Sequence, residues 1–411
     1  GSGARITLSW AEAAGSVSVC GSAASDVLTT GFQLVHAAIR RRKPVLVVDH
    51  TADPALAAQL AAVCAAAGAP LLVFGPGGTA QARAACYEPF RHGSPAQRAA
   101  LVTAMLSWDG PGRQYRRSCL SYLDDVFELL DAAPGDPRVP VLDDVLHLLN
   151  PVALQARMEY VPAGYPRREV LAERIRVSAH LISAEPATIA APVRQLRELR
   201  DSPFGRWLRP SADGRRPEEV SLDGRRPAGV SPGGQSADID LGRALAGRAV
   251  VLFRLGGPPA TESSAMLGRL ICQDLLRAGA ARDGTPGGDA DGDGLIWLAE
   301  CAALPRQAVT SLIARGRPAG LPVLAATTSA PVAADLADLV NVVIAHRMAD
   351  GTTVPQLAAA GDLATLRDGE FVMTVREPPR LVPSGLLVRA RVPKVSRAGH
   401  AAAPRRAWEG A

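Results

Sequence analysis

Runs of apolar residues without polar alternation, each followed by a helix-length stretch, constrain this chain more than any other feature of its sequence. Val45-Leu46-Val47-Val48-Asp49, Leu71-Leu72-Val73-Phe74, Val250 to Leu255, Leu295 to Ala299, Leu321 to Thr327 and Val342 to Ala345 are such runs, and Val17-Ser18-Val19-Cys20 is a shorter one. A strand with one wet face alternates polar and apolar residues, whereas a strand apolar throughout is covered on both faces. Leu28 to Arg40, Leu56 to Ala67, Ser263 to Ala278 and Gln307 to Arg315 read as the helices between them. The expected fold class is therefore α/β, a parallel sheet with helices on both faces. Glu370 to Val375 and Leu386 to Arg391 read as edge strands.

The sequence of 411 residues is 47% hydrophobic and 21% charged, which excludes a disordered chain or a coiled coil. Aromatic residues are only 4%, so Ala, Leu and Val must build the core. The α/β pattern of residues 1–110 gives way near Gln114 to a 3.6-residue period. Tyr122, Val126, Leu129 and Leu130 share one helix face, and Leu142, Val145, Leu146 and Leu149 another. Residues 111–209 are expected to form an all-α insertion. In 210–240 Asp213-Gly214-Arg215-Arg216-Pro217 recurs as Asp223-Gly224-Arg225-Arg226-Pro227, a tandem with no apolar payload. It reads as a disordered linker, with a DNA-contacting arm as the other reading. The α/β pattern resumes over 241–393, and 394–411 reads as a flexible tail.

The charge balance, 45 basic against 40 acidic residues, is mildly basic and compatible with a polyanionic partner. Only Lys43 and Lys394 are lysines, so any mechanism needing a lysine has two candidates. Arg40-Arg41-Arg42-Lys43 would complement the C-terminal dipole of the first helix, or contact DNA phosphates. Cys20, Cys64, Cys86, Cys119, Cys272 and Cys301 have no metal spacing and read as buried, reduced thiols of a cytoplasmic protein. No histidine pair has metal spacing either. The most apolar stretch, Ala55 to Phe74, is broken by Gln59 and by Gly68-Ala69-Pro70, and reads as helix, turn and strand, not as a membrane span.

A phosphate-binding loop would sit where the first strand turns into a helix, at Val19-Cys20-Gly21-Ser22-Ala23-Ala24-Ser25-Asp26-Val27-Leu28-Thr29. Such a loop needs glycines, a lysine on the phosphates and a hydroxyl on Mg²⁺. Only Gly21 remains of the glycines, and Asp26 would repel a phosphate. Alone, this stretch reads equally as an ordinary strand–helix turn. Further on, Leu295-Ile296-Trp297-Leu298-Ala299-Glu300 ends a strand in an acid. Arg315-Gly316-Arg317-Pro318-Ala319-Gly320 follows, and then a strand ending in Thr327-Thr328-Ser329.

In this order the pieces resemble the conjugative coupling proteins of type IV secretion systems, the TraG/TraD-type family of RecA-like, hexameric, DNA-pumping ATPases. That family reads strand–Asp-Glu, an Arg-x-x-Gly turn, and a strand ending in Thr-Gln-Ser. Arg42-Lys43-Pro44 before Val45 to Asp49, Ser202-Pro203-Phe204-Gly205-Arg206-Trp207-Leu208, Leu245-Ala246-Gly247-Arg248 and Gly369-Glu370-Phe371 are similar to further segments of it. The resemblance spans roughly residues 15–393. It implies a RecA-like P-loop NTPase-type sheet interrupted by an all-α insertion. It also implies ATP as cofactor, DNA and conjugation or secretion proteins as partners, assembly as a homo-hexamer, and a place at the cytoplasmic face of the membrane.

By that resemblance Glu300 stands where the water-activating glutamate would be, and Arg317 matches the arginine that reaches a neighbouring subunit's nucleotide. Gly21, Ser22, Ser25, Asp49 and Thr328 would line the nucleotide. Read without it, Glu300 is a polar strand end and Arg317 a solvated turn. The Walker A lysine is missing, and Ala299 replaces the Walker B aspartate that orders Mg²⁺. The expectation is a degenerate coupling-protein ATPase with weak or absent hydrolysis, binding DNA or partner proteins; the alternative is an active ATP-driven translocase. Asp289-Ala290-Asp291-Gly292-Asp293-Gly294 with Glu300 also fits an EF-hand loop. Gly284-Thr285-Pro286-Gly287-Gly288 precedes it where a helix is required, which argues against calcium.

Overall fold

The apolar runs all become strands. The chain opens with α1 (Trp10–Ala13), β1 (Val17–Cys20), α2 (Ala24–Arg40), β2 (Val45–Asp49), α3 (Pro54–Ala67), β3 (Leu71–Phe74) and the two-residue β4 (Arg83–Ala84). Helices follow, with no strand among the described residues between them: α4 (Pro95–Met105), α5 (Arg116–Ala132), α6 (Leu142–Leu148), α7 (Pro151–Arg157), α8 (Arg168–Ala184) and α9 (Ala187–Asp201). Alternation resumes with α10 (Leu241–Ala246), β5 (Val250–Arg254), α11 (Glu262–Asp283), β6 (Leu295–Ala299) and α12 (Arg306–Gly316). The chain then runs through β7 (Val323–Thr327), α13 (Ala330–Ala337), β8 (Val342–Ala345), β9 (Glu370–Val375) and β10 (Val388–Arg391). The structure is a computed structural model that describes residues 8–75, 83–133, 139–208, 238–256, 262–283, 294–349, 354–360, 362–377 and 388–391. The Asp-Gly-Arg-Arg-Pro tandem, the acidic loop 289–293, Lys394 and the tail lie outside them.

One sheet of ten strands results, in the order β10-β9-β8-β1-β7-β6-β2-β5-β3-β4. From β8 to β4 every pairing is parallel, while β9 and β10 add antiparallel at one edge. β7 lies between β1 and β6, so the turn after β1 and the acid after β6 are two strand spacings apart, about 10 Å. This is the RecA-like class of sheet.

Successive residues of a strand face opposite ways, and the two cores divide accordingly. Val45 and Val47 enter the core under α2 and α3, while Leu46 and Val48 enter the one shared with α4, α5, α9, α11 and α12. The second core runs on into the helical block without a break. Phe74 of β3 packs against Phe253 of β5 and against Phe204 and Trp207, which follow α9. The opposite core centres on Trp297, fully buried, whose indole lies so close to α2 that a Cβ on Gly31 would come within 2.8 Å of it. Only glycine lets the helix approach that far.

Element ends differ from the sequence reading for local reasons. α2 begins at Ala24 rather than Leu28, because its first turn carries Ser25 and Asp26 and lacks the apolar signal. β7 begins at Val323 rather than Leu321, because Leu321 closes the preceding turn onto Gly316 and Pro322 has no N–H to donate. Ile239 and Asp240, placed in the linker by composition, are ordered. Ile239 bridges Tyr87, and the Asp240 carboxylate caps α10. No helix among the described residues is long and apolar enough to cross a membrane. The six cysteines are buried and unpaired, and burial pushes the Cys20 and Cys272 thiols up to about 12, so both are protonated and unreactive.

Candidate functional site

Parallel β/α units expose their carboxyl-terminal strand ends, and there the helix N-termini converge. At that edge Cys20 of β1 pairs with Thr327 of β7, and Ala299 of β6, opposite Ala326, pairs with Asp49 of β2. The structure brings Glu300 and Thr328 together. One Glu300 carboxylate oxygen accepts from the Thr327 hydroxyl at 2.9 Å. The other accepts from the Thr328 amide at 3.1 Å and its hydroxyl at 2.7 Å. Glu300 holds a left-handed backbone, φ 61 and ψ 64. A non-glycine residue there costs about 1–2 kcal/mol, which these three hydrogen bonds offset. The carboxylate thus ties the end of β6 to the end of β7, and both its oxygens are engaged.

Gly21, Ser22 and Ser25 lie two strands away, and their surroundings do not fit a triphosphate. The turn from β1 to α2 is only Gly21-Ser22-Ala23, whereas a P-loop motif runs to about eight residues so that successive N–H groups can wrap phosphate. The space beside Gly21 is taken: a Cβ there would lie 2.7 Å from that of His346. The Ser22 amide donates to the Arg347 carbonyl at 2.8 Å, and its hydroxyl donates to the same oxygen at 3.0 Å. The buried Asp26 carboxylate accepts from the Gly369 amide at 3.0 Å. Ser25 is exposed on the first turn of α2, its carbonyl accepting from the Thr29 hydroxyl.

His346 completes this closure and is the residue that sequence reasoning missed. It is fully buried, with Nδ1 2.9 Å from the Glu370 carbonyl and Nε2 2.8 Å from the Thr30 hydroxyl. A carbonyl can only accept, so Nδ1 carries the proton and Nε2 accepts from Thr30. The neutral ring stitches α2 to the Gly369-Glu370-Phe371 turn, and burial holds its pKa below the usual histidine value. In sequence this histidine stands alone, and only the pairing of β8 with β1 brings it against Gly21.

Asp49, fully buried, turns inward to accept from the Thr51 amide at 2.8 Å and hydroxyl at 2.6 Å. Desolvation raises its pKa despite those bonds. Arg317 is not brought to the cluster. α12 leaves β6 and returns to the start of β7, so Arg317 lies exposed at the opposite edge of the sheet, where Gly320 bonds back to it and onward to Gly294. Five-residue strands put about 16 Å between those edges. Lys43 lies over the Trp10 ring, 5.9 Å from its centroid, at the amino-terminal edge. Among the described residues no group of His, Cys, Asp or Glu could hold a metal ion.

His50, after β2, sits between these features. Its Nδ1 lies 3.3 Å from the Ser264 hydroxyl, and its buried Nε2 has no partner among the described residues. Burial pushes the imidazole down to about 4, against the pull of the Glu300 charge. The unfolded chain binds a proton here from about pH 6.5 downward, while the fold refuses it until about pH 4. Stability therefore falls as pH drops through that window. Between pH 7 and pH 5 this group is expected to cost about 2 kcal/mol. Urea denaturation at both pH values checks it: His50→Asn should lose less stability than wild type by that amount.

No family model matches the chain, and no curated protein sequence does. Solved structures do. The unbound conjugative coupling protein TrwBdeltaN70 superposes with a TM-score of 0.57 at 10% identity, covering 95% of this chain and 87% of that one. TrwB in complex with ADP and Mg²⁺ gives 0.56 at 11%, covering 94% and 87%. VirB4 of Thermoanaerobacter pseudethanolicus gives 0.51 at 9%, covering 94% and 91%. Along nearly its whole length, this chain has the RecA-like fold of a conjugative coupling protein.

Proposed function

We propose that this protein is a degenerate counterpart of the coupling ATPases, a non-hydrolysing or weakly hydrolysing subunit that serves DNA transfer or secretion by binding DNA or partner proteins. The observation that carries this reading is the closed turn at Gly21-Ser22-Ala23, whose amide, hydroxyl and glycine space are taken by His346 and Arg347. A nucleotide seated as in a P-loop needs those donors free and a cation beside them. The fold likeness to TrwB, crystallised with ADP and Mg²⁺, supports the architecture; the occupied donors support the lost chemistry. Assembly as a homo-hexamer at the cytoplasmic face of a membrane belongs to the same reading.

Calorimetric titration of ATP with Mg²⁺ into the full chain is the test. No heat of binding and no rise in melting temperature are expected at micromolar ATP; saturable micromolar binding would mean that the turn admits nucleotide and would remove the observation that carries the reading. Glu300 gives a second test. As a tie between β6 and β7, it makes Glu300→Ala destabilising by about 1–3 kcal/mol, because the Thr327 hydroxyl is buried and loses its acceptor. A glutamate positioned for catalysis alone would leave chemical denaturation unchanged on the same substitution.

A further inference from the structure

Two adjoining clefts lie along α4 on the face of the molecule that carries α11, and Ala100 and Gln273 stand in the walls of both. The first, of about 790 Å³, contains Arg243, Arg277 and Arg315; the second, of about 500 Å³, contains Arg113, Arg116 and Arg117. The first uses α4 near its start and the second uses Thr103 and Ala104 near its end, so the six guanidinium groups flank a trough about as long as the helix, some 16 Å. Arg277 is paired with Asp274. The other five are exposed and make no ion pair or side-chain hydrogen bond with the described residues. The acid in these walls, Asp240, is held by His92 at 2.7 Å and by the Arg243 amide.

A row of unpaired arginines on one face repels itself, and the arrangement is favourable when an anion lies along it. We infer that this α4–α11 trough is a binding surface for the phosphodiester backbone of a nucleic acid. The spacing suits a repeating charge. A strand of duplex carries one phosphate per 3.4 Å of axis, so about five fit the trough. Gln97 and Gln273 add amide donors of the kind that contact phosphate and sugar. No Phe, Tyr or Trp lines either cleft, so bases have nothing to stack on and recognition is of the backbone, without sequence preference. An acidic protein segment is the competing polyanion for this surface, and the poly-glutamate arm of the test separates the two. The inference rests on the proposed DNA-serving role only for the class of partner; the surface follows from the charges.

Anisotropy titrations of the full chain with a random-sequence 20-base-pair duplex, the matching single strand and poly-glutamate, from 50 to 300 mM salt, test it. Duplex affinity should fall with a log–log salt slope of about −4.5 if all five free arginines engage, and the single strand more shallowly. Arg116→Gln with Arg117→Gln should weaken binding about tenfold at 100 mM salt and reduce the slope by about 2. Arg40→Gln with Arg41→Gln removes the same charge from the other face of the sheet and should change little. Light scattering and thermal melting of each double variant check assembly and folding. Equal effects of the two double variants, tighter binding of poly-glutamate than of DNA, or lost self-association with unchanged DNA affinity would each overturn the trough assignment. Should the wild type bind no nucleic acid, the DNA-serving role falls with it; should it bind undiminished in Arg116/Arg117 variants, only the trough falls.

Discussion

Purified protein mixed with Mg²⁺ and ATP is expected to release phosphate little or no faster than a protein-free blank, with or without DNA. Phosphoryl transfer depends on positioning and on cations that neutralise the developing charge. Here Ala299 stands beside Glu300, and Lys43 is at the far edge of the sheet over Trp10. Losing the lysine and the metal-ordering carboxylate together removes several kcal/mol of transition-state stabilisation, on the order of thousands-fold in rate. The turn adds a geometric deficit that a point substitution does not repair. Ala23→Lys is not expected to restore turnover, since the three-residue turn is shorter than a phosphate-wrapping loop and the Arg347 carbonyl already takes the Ser22 amide and hydroxyl. A malachite-green assay of both proteins measures this. Brisk, Mg²⁺-dependent hydrolysis abolished by Glu300→Gln would instead support the active translocase.

Trp297→Ala is expected to have the largest effect on folding, a loss of about 3–5 kcal/mol. The indole is fully buried at the centre of β6, between β7 and β2, and α2 packs directly on it through Gly31. Its removal opens a cavity under the helix whose N-terminus forms the closed turn. Gly31→Ala alone should cost about 1–3 kcal/mol, because the new methyl meets the ring at 2.8 Å. In the Trp297→Ala background the same methyl has room. The two effects should then be strongly less than additive in a guanidinium denaturation cycle. Additive losses would mean that the indole and α2 are not in contact.

The tie between β6 and β7 accounts for the backbone strain at Glu300. Glu300 takes a left-handed backbone that would be costly at an idle strand end. The two threonines of the neighbouring strand hold it there, and Thr327 and Thr328 stand where the resemblance has Thr-Gln.

The sequence by itself determined the sheet. Strands apolar on every residue cannot tolerate a wet face, so Val45 to Asp49 or Leu295 to Ala299 demanded helices on both sides, and parallel pairing followed. It also placed no lysine in the turn after β1 and an alanine, Ala299, before Glu300, because the presence of a residue type is readable without coordinates. Tertiary structure alone decided what surrounds that turn. His346 and Gly369 are more than 300 residues from Gly21 and Asp26, and no local pattern announces contacts that depend on β8 pairing with β1 and on the turn before β9 folding over them. The same holds for the arginine trough. Its members come from four segments between residues 113 and 315, each unremarkable alone, and only the packing of α4 against α11 sets their charges in one row.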